Sequence, residues 1–129
     1  MANLSQVAVL TINDSSDNMG IVTNYGIQLS QGSDTVNVSV TLSLNFDDKS
    51  PVFDFFVQNQ PATIKILIEN SLASGGPTTR TLSFENAVCK DYVETYAMAN
   101  QTFDNMNDLM VSFVFQADSA TLGETSFPA

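Results

Sequence analysis

A strict alternation of apolar and polar residues runs through Val36-Asn37-Val38-Ser39-Val40-Thr41-Leu42-Ser43-Leu44-Asn45-Phe46. Side chains point to alternate faces along a strand, so this pattern predicts one long β-strand with a buried face and a wet face. The polar side consists only of Asn, Ser and Thr. Such a side suits either solvent or a hydrophilic interface.

Shorter strands are predicted on both sides of this run. Their apolar residues alternate in the same way, and turn-forming residues separate them. The predicted segments are Val7–Ile12, Ile21–Leu29, Thr63–Glu69, Arg80–Asn86, Ala87–Tyr96 and Leu109–Ala117. Polar turns at residues 30–34 and 74–77 predict two hairpins, one joining Ile21–Leu29 to the long strand and one joining Thr63–Glu69 to Arg80–Asn86.

One segment departs from the strand pattern and predicts a short helix around residues 50–58. Ser50 is suited to the N-cap and Pro51 to the first helical position, whereas Pro61 prevents extension. Three apolar residues fall on one face at helical spacing: Phe53, Phe56 and Val57. We therefore expect a mainly β fold, a barrel or sandwich with one short helix packed against it, in a single domain over residues 1–129.

The charge balance excludes two classes of partner. The chain has 14 acidic and 4 basic residues among 129, for a net charge of -10. Nucleic-acid binding requires clustered Lys and Arg, and an anionic membrane repels an acidic protein. We therefore expect neither nucleic-acid binding nor membrane insertion, and basic or neutral partners where partners exist.

The termini and cysteine content bear on the cellular compartment. Residues 1–6 lack the basic start and long apolar run of a signal peptide, and no apolar stretch reaches the ~20 residues of a membrane helix. Cys89 is the single cysteine, so no disulfide can form within the chain. We expect synthesis in the cytoplasm and export, if any, by a route that recognises the folded protein.

The residues that could support catalysis are few. Histidine is absent, which excludes Ser/His/Asp and Cys/His systems, and Cys89 on a predicted strand is expected to be a buried, inert thiol. The carboxylate pairs Asp47 with Asp48 and Glu85 with Asp91 are the remaining acid–base candidates. Adjacent acids before a helix are better explained as partners of its N-terminal dipole. No enzymatic activity is expected.

Two loops rich in Asp and Asn, residues 14–18 and 104–108, carry the oxygen ligands that calcium prefers. Neither follows the EF-hand pattern, and both residue types are ordinary turn formers. No metal and no cofactor is therefore expected.

Three segments carry a family resemblance. The stretch Thr81-Leu82-Ser83-Phe84-Glu85-Asn86-Ala87-Val88-Cys89-Lys90-Asp91-Tyr92 resembles a hallmark segment of Hcp (TssD), the tube protein of bacterial type VI secretion systems. Asn24–Gln31 is similar to the second strand of one branch of that family, and Asp47–Val57 to its short acidic and aromatic helix. The similarity spans roughly residues 20 to 120.

The resemblance implies a structural protein that forms a β-barrel with a flanking helix. It implies a homo-oligomer, with hexameric rings stacked into a hollow tube that a contractile sheath drives outward. Effector cargo and other secretion-apparatus proteins are the implied partners, and the protein is secreted through the apparatus. Two alternatives remain open: a tube protein of another contractile injection particle, and a monomeric β-sandwich binding module for carbohydrate or protein ligands.

Two candidate sites follow from the resemblance. Relatives often carry a longer loop, which contributes to ring or subunit contacts, where this chain has only a short turn. The residues of this turn are therefore a candidate ring or stacking interface: Ser30, Gln31, Gly32, Ser33 and Asp34. Relatives often also have a Trp in the helix, which this chain lacks. The polar residues of the long strand are the candidate lumen face: Asn37, Ser39, Thr41 and Ser43.

Overall fold

The computed structural model describes residues 4–44, 47–72, 76–97 and 108–129. It contains eight strands and one helix over these ranges. In chain order they are β1 (Leu4–Ile12), β2 (Ile21–Gln28), β3 (Val36–Ser43), α1 (Pro51–Gln58), β4 (Ala62–Leu72), β5 (Gly76–Ala97), β6 (Asp108–Ala117), β7 (Ser119–Leu122) and β8 (Thr125–Phe127). The predicted mainly β fold with one short helix is confirmed.

All described strands belong to one curled, antiparallel sheet in the order β1-β4-β5-β6-β3-β2. A side branch adds β7 along β5 and then β8 along β7. Both predicted hairpins are present, β2 with β3 and β4 with β5. The curl brings the end strands β1 and β2 close to each other, but no ladder joins them within the described ranges.

The alternation in β3 gives the predicted inward and outward faces. Val36, Val38, Val40 and Leu42 are completely or almost completely buried. The strand ends at Ser43, and Asn45 and Phe46 of the alternating run lie outside the described residues. Three phenylalanine rings lie at the centre of the core: Phe84, Phe113 and Phe115. The ring centroids of Phe84 and Phe115 are 5.2 Å apart, and those of Phe113 and Phe115 are 6.0 Å apart. Such ring contacts stabilise a core beyond the area they bury.

The two segments predicted as separate strands at Arg80–Asn86 and Ala87–Tyr96 are one strand, β5, so that prediction is wrong. Residues 76–87 pair with β4 and residues 88–97 pair with β6, so β5 runs through both parts of the curled sheet. Asn86 has a φ of 53°, and the register shifts between Cys89 and Asp91. Irregularities of this kind bend a strand and increase its twist, so it changes partners without ending.

The helix begins as predicted, but its buried side differs from the predicted apolar face. Ser50 Oγ accepts a hydrogen bond from the Phe53 N–H at 3.3 Å, and Pro51 occupies the first helical position. The helix buries Val52 and Phe55, whereas the predicted face is exposed: Phe53, Phe56 and Val57. Asn59, with a left-handed φ of 53°, ends the helix.

Candidate functional site

The polar side of β3 continues across its neighbours as one exposed surface, here called the polar face. Residues directly opposite each other in an antiparallel ladder point to the same side of the sheet. The registers therefore align Ile21, Asn24, Gly26 and Gln28 of β2; Asn37, Ser39, Thr41 and Ser43 of β3; Met110, Ser112, Val114 and Gln116 of β6; and Val88, Asp91, Val93 and Thr95 of β5.

Hydrogen bonds between strands connect side chains of the polar face. The Thr41 and Ser112 hydroxyl oxygens lie 3.1 Å apart, and Gln116 Nε2 donates to Asn37 Oδ1 at 3.3 Å. Asp91 is the one charged residue among these ladder-paired positions, and the exposed Lys90 lies in the bulge next to it, in a chain whose net charge is -10. The polar face is therefore a broad wall of hydroxyl, amide and small apolar groups with little charge.

From the sequence, only the β3 members of the polar face were predicted. The contributions of β2, β5 and β6 were missed, although the inward alternation of Leu109, Val111, Phe113 and Phe115 implies outward partners. That alternation shows which residues of β6 point outward. The hairpin partner β2 was predicted beside β3, but the pairing of β3 with β6 is long-range and no local pattern contains it.

The turn at residues 30–34 lies at one end of the polar face. Ser33 N–H donates to the Ser30 carbonyl at 3.1 Å, and Gly32 takes a left-handed φ of 86°. Ser33 Oγ also accepts from the Thr35 N–H at 3.2 Å, which anchors the turn to the start of β3. All its residues except Ser33 are exposed, and it adjoins a depression lined by the C-terminal residues 126–129.

Three of the four candidate acid–base residues make hydrogen bonds, and Asp91 does so through its backbone. Glu85 accepts a hydrogen bond from Thr63 Oγ1 at 3.1 Å, and the Asp91 backbone carbonyl accepts from the Cys89 thiol at 3.5 Å. Asp47 Oδ1 accepts from the Lys49 N–H at 2.9 Å, an ordinary local turn contact. None of these three contacts joins the two carboxylates of a candidate pair.

In the first of the two Asp- and Asn-rich loops, Asp14 makes a tertiary contact and Asp17 makes a local one. Asp14 Oδ1 lies 3.2 Å from Lys65 Nζ, and Asp17 N–H points to Ser15 Oγ at 3.4 Å. Residues 104–107 of the second loop lie outside the described residues. Within the described ranges, no group of three or more His, Cys, Asp or Glu side chains is placed to hold a metal ion.

Cys89 is buried, as predicted, on the inward side of β5 opposite Phe115. Burial raises the pKa of its thiol to about 11; the Asp91 carbonyl contact opposes this rise and the Asp91 charge adds to it. The thiolate is the nucleophilic form of cysteine, so a thiol that stays protonated at neutral pH is a poor nucleophile.

An aromatic cluster joins α1 to the second half of β5. The Phe53 ring meets the Tyr92 ring edge-on with centroids 5.6 Å apart, and Phe56 stacks on Tyr92 at 5.9 Å. The Tyr92 hydroxyl donates to Glu94 Oε1 at 3.0 Å. Partial burial raises the pKa of the Tyr92 phenol, a hydrogen bond with Ser50 opposes the rise, and the Glu94 carboxylate adds to it.

Comparison with solved structures finds similar proteins, whereas comparisons with family models and with curated proteins find no match. Hcp1 from Flavobacterium johnsoniae has a TM-score of 0.66 and 16% identity, covering 94% of this chain and 98% of its own. The secreted protein Hcp3 from Pseudomonas aeruginosa has a TM-score of 0.68 and 13% identity, covering 95% of both chains. Hcp1 from Salmonella typhimurium has a TM-score of 0.65 and 14% identity, covering 94% of this chain and 88% of its own.

The curled antiparallel sheet with one capped helix therefore belongs to a known class of β fold, which extends over nearly the whole chain. That class is the Hcp fold, so the resemblance found in the sequence is confirmed at the level of the fold. Among the residues that the structure describes, no helix combines the length and the apolar character that crossing a bilayer requires.

Proposed function

We propose that this chain is a non-enzymatic, ring-forming tube subunit of a type VI secretion apparatus. The observation that carries this proposal is the Hcp fold, which accounts for 94–95% of the chain in alignments with three Hcp structures. In this proposal, residues 1–129 act as a single tube domain. Six copies form a ring, rings stack into a hollow tube, and the tube carries effectors and is secreted through the apparatus.

The open edges of the sheet support assembly. Strands β1 and β2 end the main strand order, and β8 ends the side branch, so each presents an edge without a ladder partner in the described chain. Exposed strand edges favour association with other chains. In a closed ring each edge can meet a neighbouring subunit, because every subunit offers the same surfaces in the same orientation.

The polar face supports a role as the wall of the lumen. A wall of Asn, Ser, Thr and Gln side chains interspersed with apolar ones, with little charge beyond Asp91 and the adjacent Lys90, binds neither acidic nor basic cargo strongly. Unfolded or folded effectors of different charge can then move along it. We propose that Asn37, Ser39, Thr41 and Ser43 line this lumen, with Ser30–Asp34 at its end in the contact between rings.

Solution mass tests the ring. Light scattering on the purified protein over a concentration series should give a stable mass of about six times the 13.9 kDa of one chain. A strict monomer at every concentration would contradict the ring and favour the binding-module alternative. A hexamer that fails to stack would leave the ring intact and would refute the proposed role of Ser30–Asp34 in stacking.

Charge substitutions test the lumen. Ser39→Lys and Thr41→Lys should leave the mass of the ring unchanged and alter the binding and passage of effectors in cells that carry the apparatus. Thr81→Lys is the matched control, because Thr81 is an exposed strand residue in the half of β5 outside the polar face. Unchanged passage with Ser39→Lys and Thr41→Lys would contradict the lumen assignment.

A further inference from the structure

The exposed side of α1 is an ordered apolar surface that remains largely open to solvent. Phe53 is 50% exposed, Phe56 38% and Val57 60%, although all three belong to a regular helix. With Tyr92, whose ring contacts both phenylalanines, these residues are here called the aromatic surface. Contiguous exposed apolar residues of this kind mark interaction sites more often than isolated ones do.

The aromatic surface is fixed before any partner arrives. Ser50 caps the helix, while Val52 and Phe55 bury its other side in the core. The Tyr92 ring is in turn held by its hydroxyl bond to Glu94. A preformed surface loses little side-chain entropy on binding, which favours affinity.

Acidic side chains surround one edge of the aromatic surface. They line a depression of about 540 Å³ beside Phe53, together with the single base Lys49. The carboxylates of this acidic rim are Asp17, Asp47, Asp48, Asp54 and Glu94. Within the described residues, one ion pair is present, between Lys65 and Asp14. The carboxylates of the acidic rim therefore have no Lys or Arg side chain paired with them in this part of the chain.

The acidic rim and the aromatic surface together determine the chemistry of the partner. We propose that the aromatic surface and the acidic rim form a docking site for a protein segment in which Lys or Arg side chains flank apolar ones. The apolar side chains cover Phe53, Phe56 and Val57, and the cations reach the rim. Lys and Arg are suited to this contact because their methylene stems cover apolar surface while the charged end contacts a carboxylate or an aromatic ring.

Other occupants fit the charges less well. A second copy of this chain has a net charge of -10 and would bring like charge to the rim. Nucleic acids and anionic membranes are repelled for the same reason. A basic partner is therefore the class that the charges favour.

The site lies on the opposite side of β5 from the polar face. Tyr92 and Val93 are adjacent strand residues, so their side chains point to opposite sides of the sheet. A ring with the polar face inward would leave the aromatic surface pointing away from the lumen. The docking site does not depend on the ring, because all its residues belong to one chain.

Matched helical peptides test the proposal by calorimetric titration. Each has the same leucine face, and the remaining positions are Lys, Gln or Glu. The Lys peptide should bind about tenfold or more tightly than the Gln peptide at low salt, and the Glu peptide should not bind. Raising the salt from about 0.05 to about 0.5 M should remove most of the difference between the Lys and Gln peptides.

Substitutions locate the binding. Phe53→Ser should weaken binding of the Lys peptide about tenfold, because truncating a central aromatic removes much of an interface's affinity. Val93→Ser is the matched control, since Val93 is 57% exposed, next to Tyr92 and on the other side of β5. Asp48→Asn with Asp54→Asn should weaken binding at low salt only, whereas Glu124→Gln, an exposed acid distant in the chain, should not.

A readout on the native chain removes any dependence on how the variants fold. Ring resonances of Phe53, Phe56 and Tyr92 in isotope-labelled protein should shift on addition of the Lys peptide. Three results would each overturn the proposal: no binding of the Lys peptide, equal binding of the Gln peptide at low salt, or equal weakening by Phe53→Ser and Val93→Ser. Self-association lost in Phe53→Ser but kept in Val93→Ser, with no peptide binding, would assign the surface to a second copy instead.

Discussion

At Gly20 the backbone takes a φ of +78°, and an added Cβ would collide with the backbone carbonyl oxygen of Ser43. Gly20 directly precedes β2, so the close approach sets the position of β2 beside the end of β3. A side chain at position 20 would be strained at this φ, and the contact could be relieved only by moving the Ser43 backbone.

We expect Gly20→Ala to lower the free energy of unfolding by about 2–4 kcal/mol in urea denaturation. Gly32→Ala is the matched control, because Gly32 also has a left-handed φ, +86°, but has no atom within 4 Å of an added Cβ. That control should cost only about 1 kcal/mol from backbone strain. Equal losses in the two variants would contradict the role of the Ser43 contact.

Cys89 provides a second test at this scale. Because its pKa rises from 9.0 to about 11, the folded protein should react with iodoacetamide at pH 8 roughly a hundredfold more slowly than the urea-unfolded chain. Burial of the sulfur slows the reaction further. Equal rates in the folded and unfolded chains would refute the assignment of Cys89 as an inert core residue.

The same shift has a consequence for stability at alkaline pH. The thiol binds its proton more tightly in the folded state, so its contribution is fully present below pH 9 and is lost as the pH rises through about 11. The free energy of unfolding should therefore fall more steeply over this range in the native chain than in Cys89→Ala. Parallel pH curves would show that Cys89 does not contribute.

At the scale of elements, α1 shows how a correct helix prediction can identify the wrong buried side. Apolar residues occupy most of the helix, on both sides, so helical spacing alone does not choose between Phe53 with Phe56 and Val52 with Phe55. The choice is made by the position of the core against α1: Val52 and Phe55 pack into it, whereas Phe53 and Phe56 contact Tyr92 of β5 at the surface. That position is a long-range property of the sheet.

Two alanine substitutions in α1 check this correction. Phe55→Ala should lower the free energy of unfolding by about 3 kcal/mol or more, because Phe55 is 6% exposed and its removal leaves a cavity. Phe53→Ala should cost under about 1 kcal/mol, since half of that side chain already contacts solvent. The reverse order in thermal or urea unfolding would contradict the observed orientation of the helix.

The long strand β5 is the element that most affects the architecture. Two segments of ordinary strand length, Arg80–Asn86 and Ala87–Tyr96, were predicted, with their boundary after Asn86. In the structure the chain turns a corner there and continues, and Asn86 Nδ2 donates to Asp118 Oδ2 at 2.9 Å across that corner. The short strand β7 begins directly after Asp118 and was missed, because four residues carry too little periodicity to be detected.

At the scale of the whole molecule, the net charge of -10 opposes any assembly of identical copies. If the proposed ring forms, apolar contacts and strand edges must overcome this repulsion. Screening by salt weakens repulsion between exposed charges over about 10 Å at 0.1 M. Assembly should therefore respond to ionic strength.

We expect the weight-average mass in light scattering to rise, at a fixed subsaturating concentration, as salt increases from about 0.02 to about 0.3 M. Sucrose at equal osmolality is the control for effects that do not involve charge. A mass that falls with salt would show that ring contacts are formed by pairs of opposite charges, contrary to this expectation.

Local patterns along the chain specify the chemical character of this protein. The alternation from Val36 to Ser43 specifies which side chains face the core, because the two-residue period of a strand is a local property. The Ser50 cap, the buried thiol and the absence of histidine could likewise be recognised along the chain. The three segments that resemble Hcp were sufficient to indicate the fold.

Apart from the two predicted hairpins, which elements lie together was decided by the tertiary structure. Pairing of β3 with β6 and of β6 with β5 joins residues distant in sequence, and their ladders build the polar face from four strands. The continuity of β5, the exposed side of α1 and the acidic rim beside it depend on the same pairings. The reason is physical: periodicity determines the face on which a side chain lies, whereas neighbours are chosen by how whole elements bury their apolar faces against one another.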